Sequence, residues 1–324
     1  MFVCALAINP SVGVAVRRYR LLCVWVLCST LSNIAVSKEN AAPAEAYATG
    51  DPQVCLSCHG PNGPSPAHSI LTTPHGRAAS GNAPNEQLCQ SCHGPSQEHL
   101  ARYSNGKPAP TAIGFNNRTP VALQNAQCLA CHRKDNNTHW QGSAHERAGV
   151  ACSSCHSLHN PQGKSLLTSP TETELCLGCH RETRAQIHKT SAHPIAEGQM
   201  GCKECHNPHG SSTDALLLEN SVNDTCYRCH GEKRGPFLWE HAPVRESCAN
   251  CHTPHGSVHQ AMLRSRGPFL CQQCHLAPYH PSTNYSGAGT PPSGASHSML
   301  ARNCMNCHTQ VHGSNHPSGI RLTR

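Results

Sequence analysis

Sustained hydrophobic patterning is scarce along this chain. Past residue 46 no run alternates apolar and polar positions over eight residues, so very little β structure is predicted. Helical patterning is short. The best candidate is TETELCLGCHRETRAQIHKT, Thr171 to Thr190, where Thr171 is placed to cap the helix and Glu174 to complete a capping box. SVNDTCYRCH, Ser221 to His230, reads as a single helical turn. The concentrated apolar run is LLCVWVLCSTL, Leu21 to Leu31, about 11 residues long and too short to span a bilayer as a helix. Arg17, Arg18 and Arg20 precede it and Ala42, Ala44 and Ala46 follow, which reads as an export signal. MFVCALAINPSVGVAV stands ahead of those arginines, so either the signal is long or translation starts downstream; the competing reading is a short buried helix. Residues 1–46 are therefore set apart as signal and leader. Elsewhere no stretch approaches 18 apolar residues, and no membrane-spanning helix is expected.

Composition sharpens the problem. Among 324 residues there are 23 Cys and 26 His but only 4 Phe and 3 Trp, and 25 Gly with 25 Pro. Such a chain has too little apolar surface to offset its own ordering entropy. It is disordered, stapled by disulfides, or folded around something else.

Cysteine placement decides. Cys-x-x-Cys-His occurs ten times, numbered here I to X in chain order. The cysteine pairs are Cys55/Cys58, Cys89/Cys92, Cys128/Cys131, Cys152/Cys155, Cys176/Cys179, Cys202/Cys205, Cys226/Cys229, Cys248/Cys251, Cys271/Cys274 and Cys304/Cys307. The adjoining histidines are His59, His93, His132, His156, His180, His206, His230, His252, His275 and His308. The three other cysteines, Cys4, Cys23 and Cys28, all lie in the presumed signal. This motif attaches c-type haem: two thioethers fix the macrocycle and the adjacent imidazole reaches the iron. Zinc would use these cysteines in fours and leave the histidines idle, a disulfide framework would not need them, and a thioredoxin-like site would occur once. Ten covalently bound haem c groups are expected, all on regular motifs. The expected fold class is a multihaem cytochrome c, an elongated haem wire with little regular secondary structure, short helices and almost no β.

Sixteen histidines lie outside the motifs, whereas the mature chain has only Met200, Met262, Met299 and Met305 as alternative sixth ligands. The motifs fall into pairs beginning at Cys55/Cys89, Cys128/Cys152, Cys176/Cys202, Cys226/Cys248 and Cys271/Cys304, an internal repeat. In the last four pairs a histidine precedes the second motif by seven to nine residues: His145, His193, His241 and His297. Another follows its motif histidine by three or four: His159, His209, His255 and His312. His75 and His99 fill these roles in the looser first pair. These ten are the expected distal iron ligands. His209 is too near His206 in sequence to reach the far face of the same haem, so it is expected to serve a neighbour's iron, and which distal histidine serves which iron is left open. His68, His139, His188, His259, His280 and His316 are expected at the surface or near propionates, with His68 and His188 as substitutes. Pro or Gly close after His75, His193, His209, His255 and His312 suits either a sharp exit beside a macrocycle or an ordinary turn. Ala101 to Pro120 and His280 to His297 are Pro/Gly/Ser/Asn-rich and read as surface loops.

The formal charge of +7 falls to about +4 once the three signal arginines are removed, and haem propionates add about −20, so the basic sequence is no sign of nucleic-acid binding. Two imidazoles per iron leave no open position for a substrate, which points to electron transfer rather than catalysis. No catalytic residue is expected.

The ten regular motifs, and modules such as WEHAPVRESCANCHTPHGS, Trp239 to Ser257, resemble the decahaem cytochromes of the MtrA/DmsE/PioA type over about residues 50–320. The resemblance implies a doubled pentahaem layout, taken here as 47–190 and 191–324. It also implies a periplasmic, bis-histidine, helix-poor wire that enters an outer-membrane β-barrel porin. Its partners would then be that porin, a periplasmic or inner-membrane cytochrome, and an extracellular cytochrome or terminal reductase. A closed barrel is the sheath that would let a polar haem string cross hydrocarbon. The alternative is a free periplasmic electron carrier or reservoir feeding a terminal reductase.

Overall fold

The computed structural model describes residues 47–49, 52–63, 66–80, 88–104, 113–134, 137–213, 215–275, 303–317 and 319–323. The signal and the whole of the second surface loop, His280 to His297, lie outside them. Residues Ala44–Arg324 form one unit.

The described residues hold twelve short α-helices and several 3₁₀ turns, with isolated β-bridges and no strand. The longest helix, Val121–Leu129, has nine residues. The motifs impose this brevity. From His93 to His308, each motif histidine donates its backbone N–H to the first cysteine's carbonyl at 2.9–3.0 Å. That single turn puts two sulfurs and one imidazole on the same side, and the chain then changes direction.

Odd and even motifs are built differently. Odd motifs sit in or at the end of a helix: Gln53–His59, Val121–Leu129, Glu172–Cys179, Val222–Tyr227 and Phe269–Gln272. Thr171 and Ser221 cap two of these, accepting from the N–H of Glu174 at 3.2 Å and Asp224 at 3.0 Å. The single helix expected over Thr171 to Thr190 is instead two, Glu172–Cys179 and Arg181–Ile187, because His180 leaves helical geometry at φ −82° and ψ 68°. A continuous helix would have carried its imidazole round with the following turn.

Motifs IV, VI and VIII occupy one turn and lead into a tight hairpin. His156, His206 and His252 bridge antiparallel to Leu167, Leu217 and Leu263. Non-glycine residues take left-handed backbone at these hairpins, among them Ser165 at φ 55°, Leu216 at φ 54° and Ala261 at φ 54°.

A side-chain core is nearly missing among the described residues. Seven apolar residues there are buried, and of these only Leu177, Ile187 and Ile195, with Met200 against them, form a cluster. Nine buried polar residues outnumber them, so hydrogen bonds rather than packing join the motif pairs. Buried Asn125 donates to the Val150 carbonyl at 3.1 Å and accepts from the Cys152 N–H at 2.9 Å. Asn223 repeats this on the Val244 carbonyl and the Cys248 N–H, at 2.8 and 2.7 Å. Each asparagine stands three residues before the first cysteine of an odd motif and anchors the first cysteine of the next.

Candidate haem sites

The first cysteines of each motif pair are hydrogen-bonded to one another: Cys55 to Cys89, Cys128 to Cys152, Cys176 to Cys202, Cys226 to Cys248 and Cys271 to Cys304. Their thiols stand where thioether sulfurs would be. The bond from Cys89 pulls the Cys55 thiol down to about 6, and that from Cys176 pulls Cys202 down to about 7. Burial, with the Cys304 thiol next, pushes Cys271 up to about 11. The second cysteines of even motifs face the other way. Burial pushes Cys92, Cys155, Cys205 and Cys251 up, and each also feels a thiol of the following motif: Cys128 and Cys131, Cys179, Cys229 and Cys274 respectively. Neighbouring cysteines, first beside first within a motif pair and second near the following motif between pairs, therefore succeed one another from motif I to motif X without a change of order.

Cys307 is exposed, as are Cys131, Cys179, Cys229 and Cys274, the second cysteines of odd motifs III to IX. As the second cysteine of motif X it corresponds to Cys92, Cys155, Cys205 and Cys251, yet it is exposed where those four are partly buried. Its spacing to Cys304 and His308 is that of every other motif.

Nine of the ten motif histidines lie opposite a second imidazole. The ring centroids are 6.3 Å apart for His59 and His99, 5.9 Å for His75 and His132, and 6.1 Å for His93 and His159. They are 6.1 Å apart for His145 and His180, 6.0 Å for His156 and His209, and 6.3 Å for His193 and His230. His206 and His255, His241 and His275, and His252 and His312 are 6.1, 6.1 and 6.2 Å apart. Two metal–nitrogen bonds of about 2 Å, plus the distance of about 1 Å from each ring centre to its nitrogen, span about 6 Å. The residues thus fit an iron held between two imidazoles. His209 faces His156 rather than His206, and this pair joins residues on either side of position 190. His297 lies outside the described residues. The nine pairs use none of His68, His139, His188, His259 or His316.

The pairs follow a rule. A histidine preceding an even motif faces the next odd motif: His75 faces III, His145 V, His193 VII and His241 IX. A histidine following an even motif faces the even motif before it: His159 faces II, His209 IV, His255 VI and His312 VIII. His99, with no earlier even motif to reach, faces I.

The second imidazole nitrogens are held as well. Proximal Nδ1 atoms of His156, His206, His252 and His308 lie 3.0, 2.8, 2.8 and 2.5 Å from the carbonyls of Ser165, Ala215, Ala261 and Arg321, and that of His93 lies 3.0 Å from Ile113. A carbonyl acceptor at Nδ1 fixes the tautomer and aims Nε2 at the metal. On the other side, His145, His193 and His241 have Nδ1 2.8, 2.7 and 3.0 Å from the carbonyls of Pro208, Pro254 and Val311. Those residues immediately precede His209, His255 and His312. One peptide therefore positions the candidate distal ligands of two successive motifs. Sequence reasoning missed these acceptors; the signal was the recurring small-apolar-Leu hairpin nine to eleven residues after the motif histidine, as in Ser165–Leu167 and Ala261–Leu263.

The glycine after each such histidine has a specific cause. A Cβ on Gly210, Gly256 or Gly313 would lie 2.0 Å from the His139 carbonyl, 2.2 Å from the Gln186 carbonyl, or 2.2 Å from the Phe237 ring. Their φ angles of 117°, 146° and 132° also favour glycine. The segment leading to one distal histidine packs against the glycine after the other. The first junction departs: Asn160 replaces the glycine, and the buried Nδ1 of His75 has no hydrogen-bond partner. Burial, the leading cause in each case, holds His75, His93, His209, His255 and His312 below the ordinary histidine range. Neutral imidazole is the form that ligates metal.

The chain is 40% identical over 228 residues to the multiheme cytochrome MtrA of Shewanella baltica, covering 69% of this chain and 68% of that one. It belongs to the MtrA family of multihaem cytochromes. The doubled CXXCH motif family matches residues 193–235 and 241–277, and the cytochrome c-type protein NrfB-like family matches 89–169. The cytochrome c-type protein NrfB of Escherichia coli is 32% identical over 135 residues, 40% of this chain and 65% of that one. As an MtrA-family cytochrome, the protein carries c-type haems covalently on Cys-x-x-Cys-His motifs and transfers electrons without being an enzyme. No helix among the described residues is long and apolar enough to cross a membrane.

Proposed function

We propose that this protein carries electrons across the outer membrane, between periplasmic carriers and the cell exterior, inside a β-barrel porin. The supporting observation is the succession of neighbouring cysteines from motif I to motif X, with an imidazole pair at nine motifs. Haem supplies one-electron exchange between ferrous and ferric iron. The chain's residues supply everything else: the twenty cysteines would fix its position, and the motif histidines and the nine facing histidines would hold the iron between them. His297 is the remaining distal histidine, and His308 the motif histidine it would serve, bringing the count to ten. With an imidazole on either side to hold the metal, each site would exchange electrons and keep substrates off the metal. The MtrA relative supports a periplasmic location against the outer membrane. The partners are the porin, an inner-membrane or periplasmic cytochrome as one electron partner, and an extracellular cytochrome or terminal reductase as the other.

The test is gentle detergent extraction of native outer membranes, with haem-stained bands sized and identified by mass spectrometry. A haem band travelling with a β-barrel protein is expected. Recovery solely from the soluble periplasmic fraction would instead make the protein a free carrier feeding a reductase.

A further inference from the structure

Charge is unevenly distributed along the array, and the inference drawn from it rests on the ten-haem reading above. Residues 47–246 carry sixteen Lys/Arg and sixteen Asp/Glu. Residues 247–324 carry five arginines, no lysine and no carboxylate side chain. The division falls between motifs VII and VIII.

Around motifs V to VII, carboxylates and cations answer one another. Glu172 lies 3.4 Å from Lys203, and Glu219 lies 3.7 Å from Arg228. Glu232 lies 3.8 Å from Lys233 and 3.9 Å from Nδ1 of His230. From residue 247 onward the sequence offers the arginines no carboxylate side chain, and Glu232 acts on His312, which faces motif VIII, together with the opposite charge of Lys233. Three of these arginines are described, all exposed, and each is tied to a different motif. The N–H of Arg264 donates to the Cys251 carbonyl of motif VIII at 2.8 Å. The Arg266 carbonyl accepts from the Leu270 N–H, just before Cys271 of motif IX, at 3.1 Å, and its guanidinium is 5.7 Å from the Phe269 ring. The Arg321 carbonyl holds Nδ1 of His308 in motif X. The comparison with earlier hairpins is direct: where Arg264 bonds Cys251, Thr168 bonds Cys155 and Leu218 bonds Cys205, both at 2.9 Å.

A fixed positive charge favours the reduced form of a nearby iron. At about 10 Å and an effective dielectric constant of about 20, a unit charge is worth about tenfold, less when exposed and salt-screened. Propionates add the same charge at every haem, so they leave the contrast intact. We propose that motifs VIII to X are the electron-collecting end of the array, and that Arg264, Arg266 and Arg321 make them so. At partial reduction, electrons entering at any other motif settle at the carboxy-terminal three.

The test is a low-salt potentiometric titration of the purified holoprotein, of the Arg264→Gln/Arg266→Gln/Arg321→Gln variant, and of an Arg118→Gln/Arg133→Gln/Arg147→Gln control. Haem mass and low-spin absorption are recorded first on each sample. The first three electrons should bind about three- to tenfold more weakly in the carboxy-terminal variant, or about 30–60 mV lower. The difference should shrink in high salt, and the control should leave those three electrons in place. Ten low-spin haems with the first three electrons unmoved, or moved equally in the control, would overturn the proposal alone. A wild-type sample short of ten low-spin haems would overturn the ten-haem reading itself.

Discussion

The sharpest consequences at the residue scale concern single imidazoles. His209→Met leaves the haem count unchanged but alters about a tenth of the low-spin signal, that of motif IV rather than motif VI, and raises its potential, because a thioether stabilises ferrous iron. Magnetic circular dichroism and redox titration of the variant check this, and ligation unchanged at motif IV would show that His209 has another role. His75 carries a second expectation. His145, His193 and His241 each have a carbonyl at Nδ1, whereas buried Nδ1 of His75 has none. A carbonyl acceptor makes imidazole more basic and favours ferric iron. The motif III haem should therefore titrate above its counterparts at V, VII and IX apart from the carboxy-terminal charge effect, a comparison that site-resolved NMR redox titration can make. At this scale the sequence was highly legible for attachment, because two thiols and an imidazole at fixed spacing have few other uses. Partner choice was not legible, since His156 and His209 meet only once the chain between them has folded.

At the scale of elements, the recurring junction between motif pairs governs stability. Gly256→Ala puts a methyl group 2.2 Å from the Gln186 carbonyl at φ 146°. It should cost about 1–3 kcal/mol and disturb the His193/His230 and His206/His255 sites together. Gly231→Ala, with nothing within 4 Å of the new methyl, should change stability by less than about 0.5 kcal/mol. Thermal unfolding of both holoproteins compares them. Asn125→Ala leaves the Cys152 N–H and the Val150 carbonyl without their partner and should cost about 1–3 kcal/mol, read in the same experiment. The short helices were foreseeable from caps such as Thr171, but the break at His180 was not, because helical propensity continues through Arg181–Ile187. The left-handed hairpins at Ser165, Leu216 and Ala261 were invisible too, since none has a glycine at the strained position.

For the whole molecule, the scarcity of side-chain core among the described residues makes haem part of the fold. A chain expressed without haem attachment should be largely unfolded by circular dichroism and recover no cooperative transition, as in other folds coupled to a bound group. Poverty in Phe and Trp made that dependence readable from composition alone, whereas the succession of the sites needed the cysteine contacts between motifs. The central claim is a series of ten haems, each held between two histidines. Mass spectrometry of the mature holoprotein, combined with near-infrared magnetic circular dichroism of the same sample, tests it most directly. The account predicts ten haems per chain and the low-spin bis-histidine signature from all of them. Fewer haems, or a high-spin or methionine-ligated fraction amounting to a whole haem, would contradict it.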